Sequence, residues 1–238
     1  MSIITPCTQT YALKQLLPSD LPQIMTLQQT VIDHLPPLNK NFIVPKTAEQ
    51  FHQRMTQCGT MIGHVTQNGA LVSYGGIAFP TKSWPTADML INPQTLPCGP
   101  TSLSVIQNSV VHPEHRKKGL HGELIAVREQ LCKTHGKSHA MGEVAAANPA
   151  SLKGFLKTGY HVTHASIDPD DGCLLLFLHK TLGAAPTILK SPSALSLDPV
   201  KKFSKAKLLL NKGHRGHALS RTDDKNGYVL HFCTLALK

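Results

Sequence analysis

The segment that most constrains the fold is a strand that leads through a basic turn into an amphipathic helix. The mostly apolar run from Leu103 to Val111 predicts the strand, and Pro113 ends it. After the turn, apolar residues recur at helical spacing: Leu120, Leu124, Val127 and Leu131. A predicted hairpin precedes this segment, and strand and helix patterns continue to alternate after it. We therefore expect a mixed sheet covered by helices.

The turn has the composition of an anion-binding site. Arg116, Lys117 and Lys118 place positive charge at the start of the helix, where backbone N–H groups are free and the helix dipole is positive. Gly119 and Gly122 let a bulky phosphate approach the backbone. The stretch has neither the Gly-Lys-Ser/Thr of a Walker A loop nor a Gly-x-Gly-x-x-Gly pattern. It predicts a pyrophosphate site, and a solvated run of charge is the alternative.

Composition narrows the class of protein. The 238 residues hold 24 Lys and Arg against 14 Asp and Glu, a formal charge of +10, which suits phosphorylated cofactors, nucleic acid or a lipid surface. Apolar residues make up 41% and charged residues 16%, which excludes global disorder. Aromatic residues are only 5% and no RNP-like strand is present, so nucleic acid stays a weakly supported partner.

Cysteine and histidine spacing gives no metal signature. The six cysteines include no Cys-x-x-Cys pair, and they are Cys7, Cys58, Cys98, Cys132, Cys173 and Cys233. The first residues lack a basic and apolar leader, and the longest apolar run, Cys173 to Leu178, is too short for a membrane span. We therefore expect idle thiols in a reducing cytoplasm and no membrane contact. His135 and His139 stand four apart, but polar residues near a helix end are the favoured interpretation, and no metal is predicted.

Other elements follow from periodicity and caps. Strands are predicted over residues 11–17, 61–65, 71–77, 141–146, 160–162 and 173–178. A helix is expected after Asp20, a second from a Thr47–Gln50 capping box to about Gln57, and a third from the Asn148-Pro149 start to Gly159. Asn68-Gly69 predicts a tight hairpin.

Two proline-rich segments suggest the domain organisation. Pro80 to Pro100 predicts a long loop, either a lid over a substrate site or a decorative insertion. Gly183 to Pro199 predicts a linker between a domain over residues 8–182 and an extension over residues 200–238. The extension is expected to contain a basic helix that Gly213 ends and a hairpin about Asn226-Gly227. The lysines of this helix are interpreted as a solvated face rather than a nucleic-acid patch: Lys201, Lys202, Lys205 and Lys207.

Two motifs together resemble the GCN5-related N-acetyltransferase (GNAT) superfamily. Val111-His112-Pro113 followed by Arg116–His121 is similar to the cofactor motif Arg/Gln-x-x-Gly-x-Gly/Ala, except that His121 replaces the second small residue and Gly122 comes after it. The stretch Asn148–Tyr160 is similar to a second family pattern, Asn-x-x-Ala/Ser-x-x-x-Tyr-x-x-x-Gly-Phe/Tyr. The two stretches lie at the expected separation and on the expected elements.

The resemblance implies a fold and a reaction. The fold is an α/β (α+β) acyl-CoA N-acyltransferase fold, with a mixed, mainly antiparallel central sheet flanked by helices and a small C-terminal helix-plus-hairpin extension. The reaction moves an acetyl group from acetyl-CoA to a primary amine of an unidentified small molecule or protein. A catalytically weak or inactive module that binds acyl-CoA as a sensor or scaffold is the alternative, and a homodimer is left open.

The resemblance also assigns the cofactor-binding residues. Backbone groups of Ser109, Val110 and Val111 would line the pantetheine and polarise the thioester carbonyl. Asn148 would lie near the pantetheine arm, with a simple helix cap as the alternative reading of this residue. The pyrophosphate would be held by Arg116, Lys117, Lys118, Gly119, Leu120, His121 and Gly122.

Two positions bear on catalysis. Glu143 matches a general-base position of members that are similar to ribosomal-protein N-acetyltransferases, and a base is needed because an ammonium has no lone pair. An exposed or lysine-paired Glu143 is the alternative. Phe155 is counted with the cofactor-binding residues and stands where many members carry a tyrosine that protonates the departing thiolate. Water, another side chain or an unassisted departure would replace that tyrosine, or the domain does not catalyse.

Overall fold

The computed structural model describes residues 10–80, 98–183, 189–190, 195–223 and 227–235. Most of the predicted Pro80–Pro100 loop, residues 81–97, lies outside the described residues, as does Asn226 of the predicted hairpin turn. The helices are α1 (Leu21–Asp33), α2 (Ala48–Gln53), α3 (Leu120–Thr134), α4 (Pro149–Lys157) and α5 (Phe203–Asn211). The strands are β1 (Ala12–Leu16), β2 (Gly59–Val65), β3 (Leu71–Ala78), β4 (Leu103–Val111), β5 (His139–Ala145), β6 (His161–Ile167), β7 (Leu174–Thr181), β8 (Leu189–Lys190), β9 (Ser196–Leu197), β10 (His214–Arg221) and β11 (Tyr228–Leu235).

All described strands belong to one sheet in the order β1-β2-β3-β4-β5-β7-β6-β10-β11-β8, and β9 pairs with β11. Only the β4–β5 pair is parallel among the strands described. Helix α3 makes the crossover between these two parallel strands, as a parallel connection requires. The predicted fold class, a mixed and mainly antiparallel sheet flanked by helices, is confirmed.

The sequence caps define the helix starts. The Thr47 hydroxyl accepts from the Gln50 amide at 3.2 Å, and the Gln50 side-chain oxygen accepts from the Thr47 amide at 2.9 Å. Helix α2 then continues as a π-helical turn over Arg54–Cys58 and ends at Gly59. Asn148 caps α4 by accepting from the Ser151 amide at 3.1 Å.

The hydrophobic core has two main parts on the helix-covered sheet. One lies beneath α1 and α2 and includes Leu27, Phe51 and Met61. The other lies beneath α3, α4 and α5 and includes Phe155 and Leu176. Within the described residues, no helix combines the length and the apolar character needed to cross a membrane.

The C-terminal segment packs on the second part of the core. Strand β10 pairs with β6 through Gly216 and Val162, and Phe203 and Leu230 belong to the same buried cluster as Val162. The predicted linker contains β8 and β9, and both pair with β11. The hairpin therefore extends the sheet formed by β1–β7 and α5 packs against it, while the domain boundary itself stays a prediction.

Candidate functional site

A cavity opens where the parallel strands β4 and β5 separate. They pair only from Leu103–His139 to Ile106–Gly142. Beyond that point β5 pairs with β7 alone and β4 pairs with β3 alone, so two backbone edges face each other without bonding. The cavity between them has a volume of about 1100 Å³. Unpaired strand edges need hydrogen-bond partners, which a ligand with amide groups can supply.

A bulge shapes the β4 side of the opening. Tyr74 pairs with Val110 and Gly76 with Gln107, so β4 uses one residue more than β3 over this stretch. Asn108 takes up the extra length with a φ of 53°. A bulge of this kind breaks the ladder and redirects the backbone, and it is common beside active sites.

The cavity collects the predicted site residues, which come from four separate elements. Lys118 is the exception among them: its Nζ donates to the Tyr11 hydroxyl at 3.0 Å and does not line the cavity. The predicted residues that line it are Ser109, Val110, Val111, Arg116, Lys117, Gly119, Leu120, His121, Gly122, Glu143, Asn148 and Phe155.

The basic turn presents free amides at the cavity. Lys117 and Gly119 have φ values of 62° and 85°, and α3 begins directly after them at Leu120. The first intrahelical hydrogen bond is donated by the Glu123 amide to the Gly119 carbonyl at 3.1 Å. The amides of the first helical turn therefore have no acceptor in the helix. A β-carbon at position 119 would meet no atom within 4 Å, so the space in front of the turn is open.

His121, the departure from the family motif, fits because α4 has a glycine opposite it. A β-carbon at position 154 would lie 2.5 Å from His121 Nδ1. Burial, with the charge of Arg128 adding to it, lowers the pKa of His121 to about 4. The imidazole is therefore neutral at neutral pH and adds no charge to the basic turn.

Phe155 lies between the cavity and the core. Its ring meets His121 and Tyr160 edge-on, with centroids 5.9 and 5.1 Å away. Tyr160 is fully buried and does not line the cavity, so it is not placed to replace the missing acid. Tyr74 is the tyrosine that lines the cavity wall, and burial raises its pKa, so its hydroxyl stays protonated.

Glu143 has the electrostatics of a base that works near neutral pH. Its side chain is exposed to the cavity, whose walls limit the water around it. The pKa of Glu143 is raised to about 7: desolvation is the largest cause, the charge of Asp168 adds to it, and Lys46 opposes both. A carboxylate with a pKa near the working pH is suited to accept a proton from an ammonium.

Asn148 is the cap of α4, and its role beside the pantetheine arm stays a prediction. Its side-chain oxygen accepts from the Ser151 amide and thereby caps α4. The residue also lines the cavity, beside the backbone edge of β5. Capping leaves the side-chain amide N–H groups available, because the cap uses only the oxygen.

The cavity is also lined by residues that sequence patterns did not reveal. Gln28 of α1 is buried and holds Lys46 by two hydrogen bonds, donating to its carbonyl at 2.9 Å and accepting from its amide at 3.0 Å. Asp168 and Asp171, from the turn between β6 and β7, line the same cavity as Lys46. The sequence indicated Asp168 and Asp171 only as turn residues. It could not reveal their position in the cavity, because the lining comes from segments far apart in the chain.

The histidines give no support to the His135–His139 metal pair. His135 Nδ1 lies 2.8 Å from the Leu131 carbonyl oxygen, and His139 Nδ1 lies 3.0 Å from His179 Nε2, so the two rings make separate contacts. Another group, His112, Glu114 and His115, has ligand atoms within 4.8 Å of one another. The prediction that the protein needs no metal stays a prediction.

Solved structures with the same fold are numerous, although no protein-family model and no curated protein matches the chain. An N-acetyltransferase from Staphylococcus aureus Mu50 superposes with a TM-score of 0.55 at 16% identity, over 73% of this chain and 99% of its own. YncA from Salmonella typhimurium, solved with its cofactor acetyl-CoA, gives 0.54 at 15% identity over 78% and 99%. The ribosomal-protein-S18-alanine N-acetyltransferase from Escherichia coli gives 0.53 at 14% identity over 76% and 100%. The chain therefore has the fold of the GCN5-related N-acetyltransferases, as its two motifs indicated.

Proposed function

We propose that this protein is an N-acetyltransferase that moves an acetyl group from acetyl-CoA to a primary amine. The observation that carries the proposal is the convergence of the basic turn, the β4 bulge and Glu143 on one cavity. The fold shared with N-acetyltransferases supports it. The identity of the amine, a small molecule or a protein, stays open.

The donor would lie along the gap between the two strands. The free amides from Lys117 to Gly122 suit a pyrophosphate, because they combine N–H donors, helix dipole and nearby basic side chains. The pantetheine arm would follow the unpaired edge of β4 past Val111 and Val110. Its thioester carbonyl would then reach the bulge at Ser109, where backbone donors can polarise it.

The chemistry requires one base and one electrophile. Glu143 would accept a proton from the ammonium, which frees the nitrogen lone pair to attack the thioester carbon. The carbonyl π electrons move to oxygen, then re-form the double bond as the C–S bond breaks and coenzyme A leaves as a thiolate. Phe155 has no proton to give, so we propose that water passes the second proton of the attacking nitrogen to this thiolate, which leaves a neutral amide and coenzyme A as its thiol.

Phe155 also supports a second candidate function. A module that binds acyl-CoA as a sensor or scaffold would need the turn and the bulge but no acid and no base. General acid help is worth roughly 10² to 10⁴ in rate, so its loss slows a transferase without silencing it. We favour the enzyme because the pKa of Glu143 is raised to about 7 inside the cavity.

The cellular setting is proposed on fewer observations. The five cysteines that the structure describes are free, namely Cys58, Cys98, Cys132, Cys173 and Cys233, which suits a reducing cytoplasm. Exposed Lys201, Lys202 and Lys205 fit a solvated face of the C-terminal segment. Nucleic acid and a homodimer are retained as partners for testing, and no membrane contact is proposed.

Thermal unfolding with added ligand tests the donor, and thiol release tests the reaction. Acetyl-CoA should stabilise the fold by about 2.7 kcal/mol at one hundred times its dissociation constant. A panel of amines mixed with acetyl-CoA should then release free thiol with at least one member. Absence of any stabilisation would contradict the proposal, and stabilisation without thiol release would favour the sensor or scaffold.

A further inference from the structure

A buried arginine lies directly behind the β4 bulge. Arg128 of α3 has no exposed surface and is the largest of the fully buried side chains described. Its Nη1 donates to the carbonyls of Gly76 and Gln107, each at 3.1 Å, and its Nη2 donates to the Ser109 hydroxyl at 2.7 Å. Its Nε donates to the Leu124 carbonyl at 2.8 Å, which fixes the guanidinium against its own helix.

These acceptors enclose the bulge. Gly76 and Gln107 are the last paired residues before β4 takes its extra residue, and Ser109 stands inside the irregular stretch. One guanidinium therefore donates hydrogen bonds to both strands at the edge of the bulge and to Ser109 inside the bulge. The planar, forked arrangement of N–H groups makes arginine suited to such multiple contacts, whereas lysine presents a single ammonium.

The strand β3 leaves space for this side chain. A β-carbon at position 75 would lie 2.8 Å from the guanidinium carbon and from Nη1 of Arg128. Gly75 has no left-handed backbone requirement, since its φ is not among the positive values. The glycine is therefore explained by the close approach of the arginine to the strand.

Within the described part of the chain, no carboxylate neutralises the charge of Arg128. Among the residues described, none forms an ion pair with it, and its acceptors are uncharged oxygens. Burial lowers its pKa to about 10, so the group still carries its proton at neutral pH. An uncompensated buried charge is unfavourable by several kcal/mol, and such costs in natural proteins concentrate at functional sites.

We propose that Arg128 is a positioning residue for the thioester site, which holds the β4 bulge in shape and directs its positive charge towards the carbonyl oxygen. The proposal rests on the proposed function, in which the bulge polarises the thioester. Negative charge develops on that oxygen when the amine attacks. A fixed cation behind the backbone donors stabilises it in a site of low polarity and needs no reorganisation during the reaction.

Infrared spectroscopy of acetyl-CoA with a ¹³C-labelled thioester carbonyl tests this without a known amine. In the wild-type protein, the bound carbonyl band should lie at lower frequency than that of free acetyl-CoA. Arg128→Met should return the band towards the free position, and Arg128→Lys should give an intermediate shift because it keeps the charge but not the fork. Cys132→Ala, one turn further along α3 and equally buried, is the matched control and should leave the band unchanged.

Binding and turnover give the complementary measurements. Coenzyme A without an acyl group lacks the carbonyl, so its dissociation constant should change less than threefold in Arg128→Met. With an accepted amine, kcat should fall by about 10²-fold in Arg128→Met, as for the loss of one oxyanion donor. A purely structural arginine would instead lower stability and coenzyme affinity together and leave the band of the bound fraction in place.

Two further variants keep the test decisive if the Arg128 variants do not fold. Ser109→Ala removes one acceptor on the bulge, and Gly75→Ala pushes the guanidinium away from the strand. Both should shift the carbonyl band in the same direction as Arg128→Met. An unchanged band in every folded variant would overturn the role of Arg128 while the proposed function stands. Failure of the wild-type protein to bind acetyl-CoA would overturn both.

Discussion

The imidazole of His121 on α3 occupies the space that a side chain at position 154 of α4 would need. A β-carbon at this position would lie 2.5 Å from His121 Nδ1, a distance that requires one helix or the ring to move. The unusual histidine in the anion-binding motif and the glycine in the second motif therefore form one packing unit. The departure at His121 is therefore accommodated by a glycine on the neighbouring helix.

This relationship predicts a change of sign in a double-mutant cycle. Gly154→Ala in the wild-type protein should lower the free energy of unfolding by about 1–3 kcal/mol, because the contact becomes overpacked. In the His121→Ala background the same substitution should raise it by up to about 1 kcal/mol, because alanine is a better helix former than glycine. Chemical denaturation of the four proteins measures both values. Equal effects in the two backgrounds would show that the residues do not interact.

The anion-binding turn is tested by adding charge at its open position. Gly119→Asp should abolish binding of coenzyme A, because the carboxylate would lie where the phosphates are expected. Gly136→Asp is the control at the other end of α3, since it also has a positive φ, of 66° against 85°, and open space around it. Both variants carry similar backbone strain, of roughly 1–2 kcal/mol. Calorimetric titration should show binding lost only in Gly119→Asp, and loss in both would point to strain rather than charge.

The raised pKa of Glu143 predicts a pH dependence of stability. The folded state holds this proton up to a pH of about 7, whereas an unfolded glutamate releases it near about 4.3. The folded state thus binds more protons in between, so the contribution of Glu143 to stability falls as pH rises through this window. The free energy of unfolding of Glu143→Gln, relative to that of the wild type, should therefore increase from about pH 4.5 to 7 and level off above pH 7.

A neighbouring variant and a rate measurement complete this test. Asp168→Asn removes a negative charge that raises the pKa of Glu143 in the folded state, so it should lower the upper end of the window and leave the lower end in place. Turnover of Glu143→Gln on an accepted amine should fall by roughly 10²-fold or more while coenzyme binding is unchanged. A parallel pH dependence of stability in wild type and Glu143→Gln, or full turnover in the variant, would remove Glu143 from the mechanism.

Phe155→Tyr restores a hydroxyl where the family motif has one. Phe155 lines the cavity and its ring lies against Gly142 of β5, so the added hydroxyl extends from the ring tip towards the strand that carries Glu143. Turnover should be preserved or raised, because a phenol can protonate the leaving thiolate. Measurement of kcat across pH, with Leu152→Met as a conservative core control on α4, checks this. A pure binding module would show no turnover in either protein.

The C-terminal segment is expected to stabilise the whole sheet. Leu230 is fully buried in the same cluster as Val162 and Leu176, so Leu230→Ala should lower the free energy of unfolding by about 2–5 kcal/mol. Leu208→Ala on the exposed side of α5, where the side chain is 52% exposed, should have little effect. A fragment of residues 1–182 should be destabilised for the same reason and should bind a hydrophobic dye. A fragment as stable as the full chain would support the boundary at residue 182.

Much of the fold follows from local sequence signals. The capping box at Thr47, the Asn148-Pro149 start and the apolar spacing after Leu120 each predict a helix that the structure contains. Such signals act within one or two turns of chain, so they can be recognised without knowledge of the partners. The basic turn at residues 116–122 belongs to this class, because its glycines, charges and helix start are contiguous.

Tertiary structure alone decided what surrounds these local elements. The bulge in β4, the Gln28–Lys46 pairing and the contacts of Arg128 join segments that are 18 to 52 residues apart. The C-terminal hairpin joins the main sheet because β10 pairs with the edge of β6. Sequence composition does not reveal such a pairing. Desolvation of Glu143 and His121 likewise arises from walls that form only on folding. The sequence by itself determined the elements and the basic turn at residues 116–122, because short-range geometry sets them. The environment of the reacting groups was decided by the packing of distant segments.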